Sequence, residues 1–112
     1  MTIFEKIAAR EIPAQIVHET EEFFAFRDVN PQAPVHVLIV PKRVIPRIAA
    51  ATNDDAELLG RMLAATGEIA KKLGVHESGY RLVINNGRDA GESVPHLHVH
   101  LLGGRHLAWP PG

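Results

Sequence analysis

The segment His96-Leu97-His98-Val99-His100-Leu101-Leu102 sets three of the chain's seven histidines at every second residue, with apolar residues between them. Strand side chains alternate faces, so this spacing sends the three imidazoles to one side and Leu97, Val99 and Leu101 to the other. The apolar side can pack on a core. The other side concentrates donors, acceptors and latent charge that stability does not require, unless it is the solvated polar face of an edge strand. Two chemistries suit it. Metal binding is one, because histidines at i and i+2 have Cα positions about 7 Å apart, within reach of one ion. A hydrolytic zinc site would also want a carboxylate or a further histidine. The nearest acid, Glu92, falls in a loop, and the chain has no cysteine to offer as thiolate.

Phosphoryl chemistry uses more of the neighbourhood. Just before the histidines, Gly87, Gly91, Ser93 and Asn85 or Asn86 offer backbone amides, a hydroxyl and carboxamides suited to non-bridging phosphate oxygens. An imidazole nitrogen is a competent nucleophile near neutral pH, and a second imidazole can stabilise phosphoryl charge and protonate a leaving group. A fourth histidine, His36, interrupts the apolar run Val35 to Val40. It is either a core histidine bonded to a backbone carbonyl or, if its strand lies beside the last one, a member of the cluster. His18, His76 and His106 fall on a strand, a loop and the tail and read as surface residues.

The elements that must carry these groups are legible in outline. Thr2 and Glu5 fit a capping box for a short amphipathic helix that ends before Pro13, with Ile3, Phe4 and Ile7 on one face. Ala14 to Thr20 and Phe23 to Asp28 read as a hairpin, and Val35 to Val40 as a third strand closed by Pro41. Apolar residues at helical spacing predict one long helix from Asp54 to Leu73, started by Thr52 or Asn53 and stopped by Gly74. Tyr80 to Asn85 and Pro95 to Leu102 complete five strands. The order implies a single α+β domain over residues 1–112, a largely antiparallel sheet with two helices packed on it. With 46% hydrophobic and 22% charged residues and a net charge of -1, the chain lacks the basic stripe of a nucleic-acid binder. No apolar run has the length of a membrane span or signal core, and a cytoplasmic protein is expected.

The triad resembles the H-φ-H-φ-H-φ-φ signature of the histidine triad (HIT) family. The likeness extends over Ile3 to Ile12, Phe26 to Lys42, Asn85 to Gly104 and the ending Ala108-Trp109-Pro110-Pro111-Gly112. The preceding G-x-S-V-x-H and the W-P-P-G ending are similar to the branch of histidine triad nucleotide-binding proteins (Hint) rather than to the diadenosine-polyphosphate hydrolases. The resemblance implies a homodimer with joined sheets and hydrolysis of purine nucleoside 5′-phosphoramidates or acyl-adenylates to the monophosphate. It also implies His98 as the nucleophile forming a nucleotidyl-histidine, with no metal and no cofactor. By the same likeness His100 contacts the phosphate and leaving group, His96 orients the nucleophile through its backbone, and His36 stands beside them. Asn85, Gly91 and Ser93 hold phosphate or leaving-group atoms, Asp28 takes the ribose hydroxyls, and Ile3, Phe4, Ile7, Phe26 and Val29 form the slot for the base. Trp109 reaches toward the partner protomer's leaving-group pocket. The chain departs from the family at Glu92, where glutamine is usual, which puts a charge near the phosphate, and Arg27 occupies a variable position at the nucleoside rim. Dinucleoside polyphosphate hydrolysis and a nucleotide-binding regulator with vestigial catalysis are the competing functions.

Overall fold

The computed structural model describes all residues, 1–112. Helix α1 (Ile3–Ala8) starts on Thr2, whose hydroxyl accepts from the Glu5 amide while the Glu5 carboxylate accepts from the Thr2 amide. This is the capping box read from the sequence. Strands β1 (Ile16–Glu19), β2 (Phe23–Arg27) and β3 (Val35–Pro41) follow, then helices α2 (Ala56–Ala64) and α3 (Thr66–Lys72), then β4 (Tyr80–Val83) and β5 (Val99–Gly103). The five strands form one antiparallel sheet in the order β1-β2-β3-β5-β4. β5 therefore lies between two neighbours, which removes the edge-strand reading of its histidines.

Alternation along the strands divides the interior in two. Val35, Val37, Ile39, Val99 and Leu101 face α2 and α3, joining Leu58, Met62, Ile69 and Ala70 in the larger core. On the opposite face Phe24, Phe26, Leu38 and Val40 pack with Phe4 and Ile7 of α1. The histidines of β3 and β5 belong to this second face.

The first four strands end within two residues of expectation, β1 starting at Ile16 instead of Ala14 and β4 ending at Val83 instead of Asn85, and two elements differ by more. The predicted helix of 54–73 is divided at Ala65, where the Thr66 hydroxyl donates to the Leu63 carbonyl at 2.7 Å, and a short 3-10 turn (Asn53–Asp55) capped by Thr52 precedes it. It closes at Gly74 (φ 77), with the Val75 amide on the Ala70 carbonyl and the Gly74 amide on Lys71, a Schellman motif. The last strand starts at Val99 instead of Pro95. Pro95 has no amide to donate, the His96 amide turns back onto Val94, and Leu97 bonds to the Ile45 carbonyl outside the sheet ladder. Two of the three histidines thus precede the strand, though their alternation of faces persists.

Candidate active site

The register of β3 on β5 sets Leu38 opposite His100 and His36 opposite Leu102, bringing His36 into the histidine cluster. The four rings do not play one part. His96 is fully buried, and both of its nitrogens are engaged. Nε2 lies 2.7 Å from the Pro41 carbonyl, which can only accept, so Nε2 carries the proton and Nδ1 accepts from the Thr2 hydroxyl at 2.7 Å. That hydroxyl in turn accepts from the Glu5 amide at 3.2 Å, so the cap of α1 and the first histidine share one bonding chain. Burial pushes the His96 pKa down. Saturated in this way, His96 has nothing left to offer a ligand except the orientation of its main chain.

That main chain sets His98. The His98 Nδ1 lies 2.8 Å from the His96 carbonyl and must donate to it, which places the lone pair on Nε2. The Phe4 ring meets the His98 ring edge-on at 5.1 Å and the His96 ring at 5.4 Å, fixing both planes. Nε2 has no hydrogen-bond partner, yet no deeply buried polar atom in the protein lacks one, so Nε2 opens on the cleft that His98 lines.

His36 and His100 are joined ring to ring, Nε2 to Nδ1, at 2.9 Å. The Gln32 amide lies 3.0 Å from the His36 Nδ1 and can only donate, so His36 carries its proton on Nε2 and gives it to His100 Nδ1. His100 is left with an N–H on Nε2. Burial, aided by the nearby His98 and His36, pushes the His100 pKa down to about 4, and burial also lowers that of His36 against the pull of Asp28. Both rings are therefore neutral at pH 7. A free lone pair on His98 Nε2 and an N–H on His100 Nε2 stand side by side, with ring centroids 5.1 Å apart.

A cleft of about 270 Å³ opens at these rings. Ile3, Phe4, Ile7, Phe26, Asp28, Val29, Ser93, His98 and His100 line it, all of them singled out in the sequence. Ile12, Pro13, Ala14, Leu38 and Val94 line it too and carried no sequence signal, because small or apolar residues look the same in a core as in a wall. Asp28 follows directly on β2, with one carboxylate oxygen accepting from the Asn30 amide at 2.8 Å and the other 3.5 Å from His36 Nε2.

Asn85 and Gly91 lie in the segment between β4 and β5 but outside the cleft's lining, Gly91 in the left-handed region at φ 80. Asn86 spends its carboxamide oxygen on the Ala49 amide at 2.8 Å, which leaves Asn85 as the unspent carboxamide of the pair. The Glu92 charge is contained: its carboxylate takes a two-point contact from Arg47 at 3.0 and 3.1 Å and accepts from the Gly87 amide at 2.9 Å. The Arg47 guanidinium first and the Gly87 amide second hold the Glu92 carboxyl below its ordinary range. The loop amide of Gly87 is accordingly closed off from any phosphate. Trp109 lies outside the cleft's lining, 79% exposed, with the Arg81 guanidinium 5.9 Å from its ring.

Asp28, His36 and His100 offer ligand atoms within 4.8 Å of one another, close enough for one cation. Their polarity opposes it. A metal-bound imidazole donates its other N–H to an acceptor, whereas the other nitrogen of His36 faces the Gln32 amide, itself a donor. No step through a metal follows from this donor set.

The HIT domain family profile matches residues 9–107. The chain is 56% identical over 111 residues to an uncharacterized HIT-like protein of Synechocystis, covering 99% of this chain and 96% of the relative. It is 50% identical over 113 residues to a 14 kDa zinc-binding protein of Zea mays, covering 99% and 88%. Among solved structures, a HIT family hydrolase from Legionella pneumophila Philadelphia 1 superposes with a TM-score of 0.96 at 48% identity, each chain covered completely. A histidine triad nucleotide-binding protein from Candida albicans superposes at 0.82 with 33% identity, covering 98% and 83%. A profile spanning nearly the whole sequence, matched by relatives over half identical, establishes that this chain belongs to the HIT domain family.

Proposed function

We propose that this protein is a nucleoside phosphoramidate hydrolase of the Hint type, acting at the α-phosphate of a purine nucleotide. The observation that carries the reading is the pair of opposed polarities at the cleft floor, a lone pair on His98 Nε2 beside an N–H on His100 Nε2. In the proposed reaction His98 Nε2 forms a bond to phosphorus as the phosphorus–nitrogen bond to the leaving amine breaks. The leaving nitrogen takes its proton from solvent and departs as the amine, with a hydrogen bond from the His100 Nε2–H drawing it away. The His96 carbonyl, bonded to His98 Nδ1–H, stabilises the positive charge that the phosphorylated ring acquires. Water then attacks phosphorus, its proton passes to solvent, the phosphorus–imidazole bond breaks and the monophosphate leaves. The sum is one phosphorus–nitrogen bond exchanged for one phosphorus–oxygen bond at the expense of one water.

The cleft supports the choice of substrate. Phe4, Ile7 and Phe26 provide flat apolar surface for a base, and a carboxylate on Asp28 suits two ribose hydroxyls. The neutral His36 and His100 rings add no standing positive charge to the cleft, so ground-state affinity rests on the nucleoside. Support for a homodimer comes from β4, an open sheet edge with Leu82 on it and Ile84 just past it each 37% exposed, and from the unburied Trp109 beside it.

The test is turnover of adenosine 5′-phosphoramidate by wild type and His98→Asn, with intact-mass detection of a trapped nucleotidyl adduct. Turnover and adduct in wild type, both lost in the variant, are expected. Full turnover by the variant, or an adduct mapped to another residue, overturns the assignment. A panel that varies only the leaving group separates this activity from dinucleoside polyphosphate hydrolysis.

A further inference from the structure

The tautomer of His36 is decided from outside the histidine cluster. The Gln32 amide that reads onto its Nδ1 belongs to the loop between β2 and β3, in which Pro31 and Pro34 have no amide to donate. Gln32 itself is exposed. What grips it is Arg105, just beyond β5. The Nε and Nη2 of this guanidinium donate to the Gln32 carbonyl at 3.1 and 3.0 Å, and Nη1 donates to the His106 carbonyl at 2.9 Å. Arg105 has no carboxylate partner, so its planar fork is committed to the main chain. The neighbouring residue shows that the docking is close. Gly104 has φ 88, and a Cβ there would lie 2.9 Å from the Pro34 Cβ, nearer than side-chain carbons approach. Only a glycine lets the end of β5 seat against this loop at that distance.

We infer that Arg105 is a positioning residue for the site: by holding the Gln32 carbonyl it keeps the Gln32 amide on His36 Nδ1, and so makes His100 present an N–H to the cleft. The order of bonds is Arg105 to Gln32, Gln32 to His36, and His36 to His100. Each link has a fixed direction because each starts from a group that can only donate or ends on one obliged to accept. Without the grip, the loop amide is free to leave, His36 can place its proton on Nδ1, and His100 then carries its own proton on the Nδ1 that faces His36. Its other nitrogen would show the cleft a lone pair, unable to donate a hydrogen bond to a leaving group. The fork also bonds the His106 carbonyl, so the seating of the C-terminal tail bears on the same chain of bonds. The consequence for turnover rests on the phosphoramidase reading; the tautomer assignment does not.

The experiment uses the full chain with Arg105→Ala, Arg105→Lys and, as a variant that keeps the arginine, Gly104→Ala. Long-range nitrogen–proton NMR of the imidazoles at pH 7.5 reads the tautomers directly, and kcat and KM are measured on adenosine 5′-phosphoramidate. Wild type is expected to show His36 and His100 both protonated on Nε2. In Arg105→Ala the His36 signals move toward the Nδ1–H form, kcat falls about 10-fold or more, and KM, set by the untouched nucleoside slot, stays within about 2-fold. Arg105→Lys restores only part of kcat, since an ammonium cannot reproduce the fork. Gly104→Ala moves both readouts in the same direction as the alanine variant. The inference is overturned if folded Arg105→Ala keeps His36 on Nε2–H with kcat unchanged. A tautomer response to Arg105 in a protein that turns over no phosphoramidate would refute the proposed function and leave the positioning role in place.

Discussion

The two histidine pairs of this site are built by opposite means. His96 and His98 are held by carbonyls of the chain and by the cap of α1: Pro41, the Thr2 hydroxyl, and the main chain of His96 itself. Their polarity is decided by main-chain carbonyls and a helix cap that bond the two rings directly. His36 and His100 are held by each other, and their polarity arrives through an exposed loop gripped by an arginine after the last strand. The first pair presents a fixed lone pair on a fixed support. The second presents an N–H whose direction depends on distant contacts and on both rings staying neutral. In the proposed reaction the attacking nitrogen needs its lone pair always in place, whereas the leaving group needs an N–H turned toward it, and the two architectures match those needs.

The contrast can be broken at several points. Apart from loss of His98, the proposed nucleophile, the largest effect is expected from His100→Ala, which removes the donor and leaves His98 intact: kcat on a phosphoramidate should drop by about 10²–10⁴-fold. The loss should shrink on substrates whose leaving group needs no hydrogen bond. An equal loss on all leaving groups would assign His100 to phosphate contact instead.

Thr2→Val probes the other pair. It deletes the cap of α1 and strands the buried Nδ1 of His96, since Nε2 must keep donating to Pro41. Unfolding in urea should show a loss of about 2–4 kcal/mol, with kcat within several-fold of wild type in the folded fraction. A large kcat loss without a stability change would place Thr2 in the chemistry.

The smallest effect is in acid. His100 titrates near 6.5 when unfolded and at about 4 when folded, so between those values the unfolded chain binds more protons than the native one. Stability is fully present above pH 6.5 and declines as pH falls toward 4. His36 and His96, also lowered by burial, contribute in the same direction. Carboxyls held low by ion pairs, such as Glu19 and Glu92, add their own loss only below about 4.5. The slope of unfolding free energy between pH 6.5 and 4.5 therefore reports the histidines, and His100→Gln should flatten it. An unchanged slope in that variant would mean that His100 is not the group titrating.

Much of this was written in the local pattern. The alternation of His96, His98 and His100 with Leu97, Val99 and Leu101 assigns faces whether or not the segment is formally a strand, because extended backbone alternates in either case. The capping box at Thr2, the stop at Gly74 and the apolar wall of Ile3, Phe4 and Ile7 were equally legible, as each depends on residues a few positions apart. Such features are local, and sequence carries local preferences directly.

What the sequence left open were partnerships between distant segments. His36 stood as either a core residue or a site residue until the register of β3 on β5 placed it 2.9 Å from His100, across 64 residues of chain. Glu92 read as a charge threatening the phosphate until Arg47, 45 residues away, was seen to bind it. The proton positions were the last to be decided. An imidazole gives no sign of its tautomer in the sequence, since that is set by whichever donor or acceptor the fold brings to each nitrogen, and here those were the amide of Gln32 and the carbonyls of Pro41 and His96.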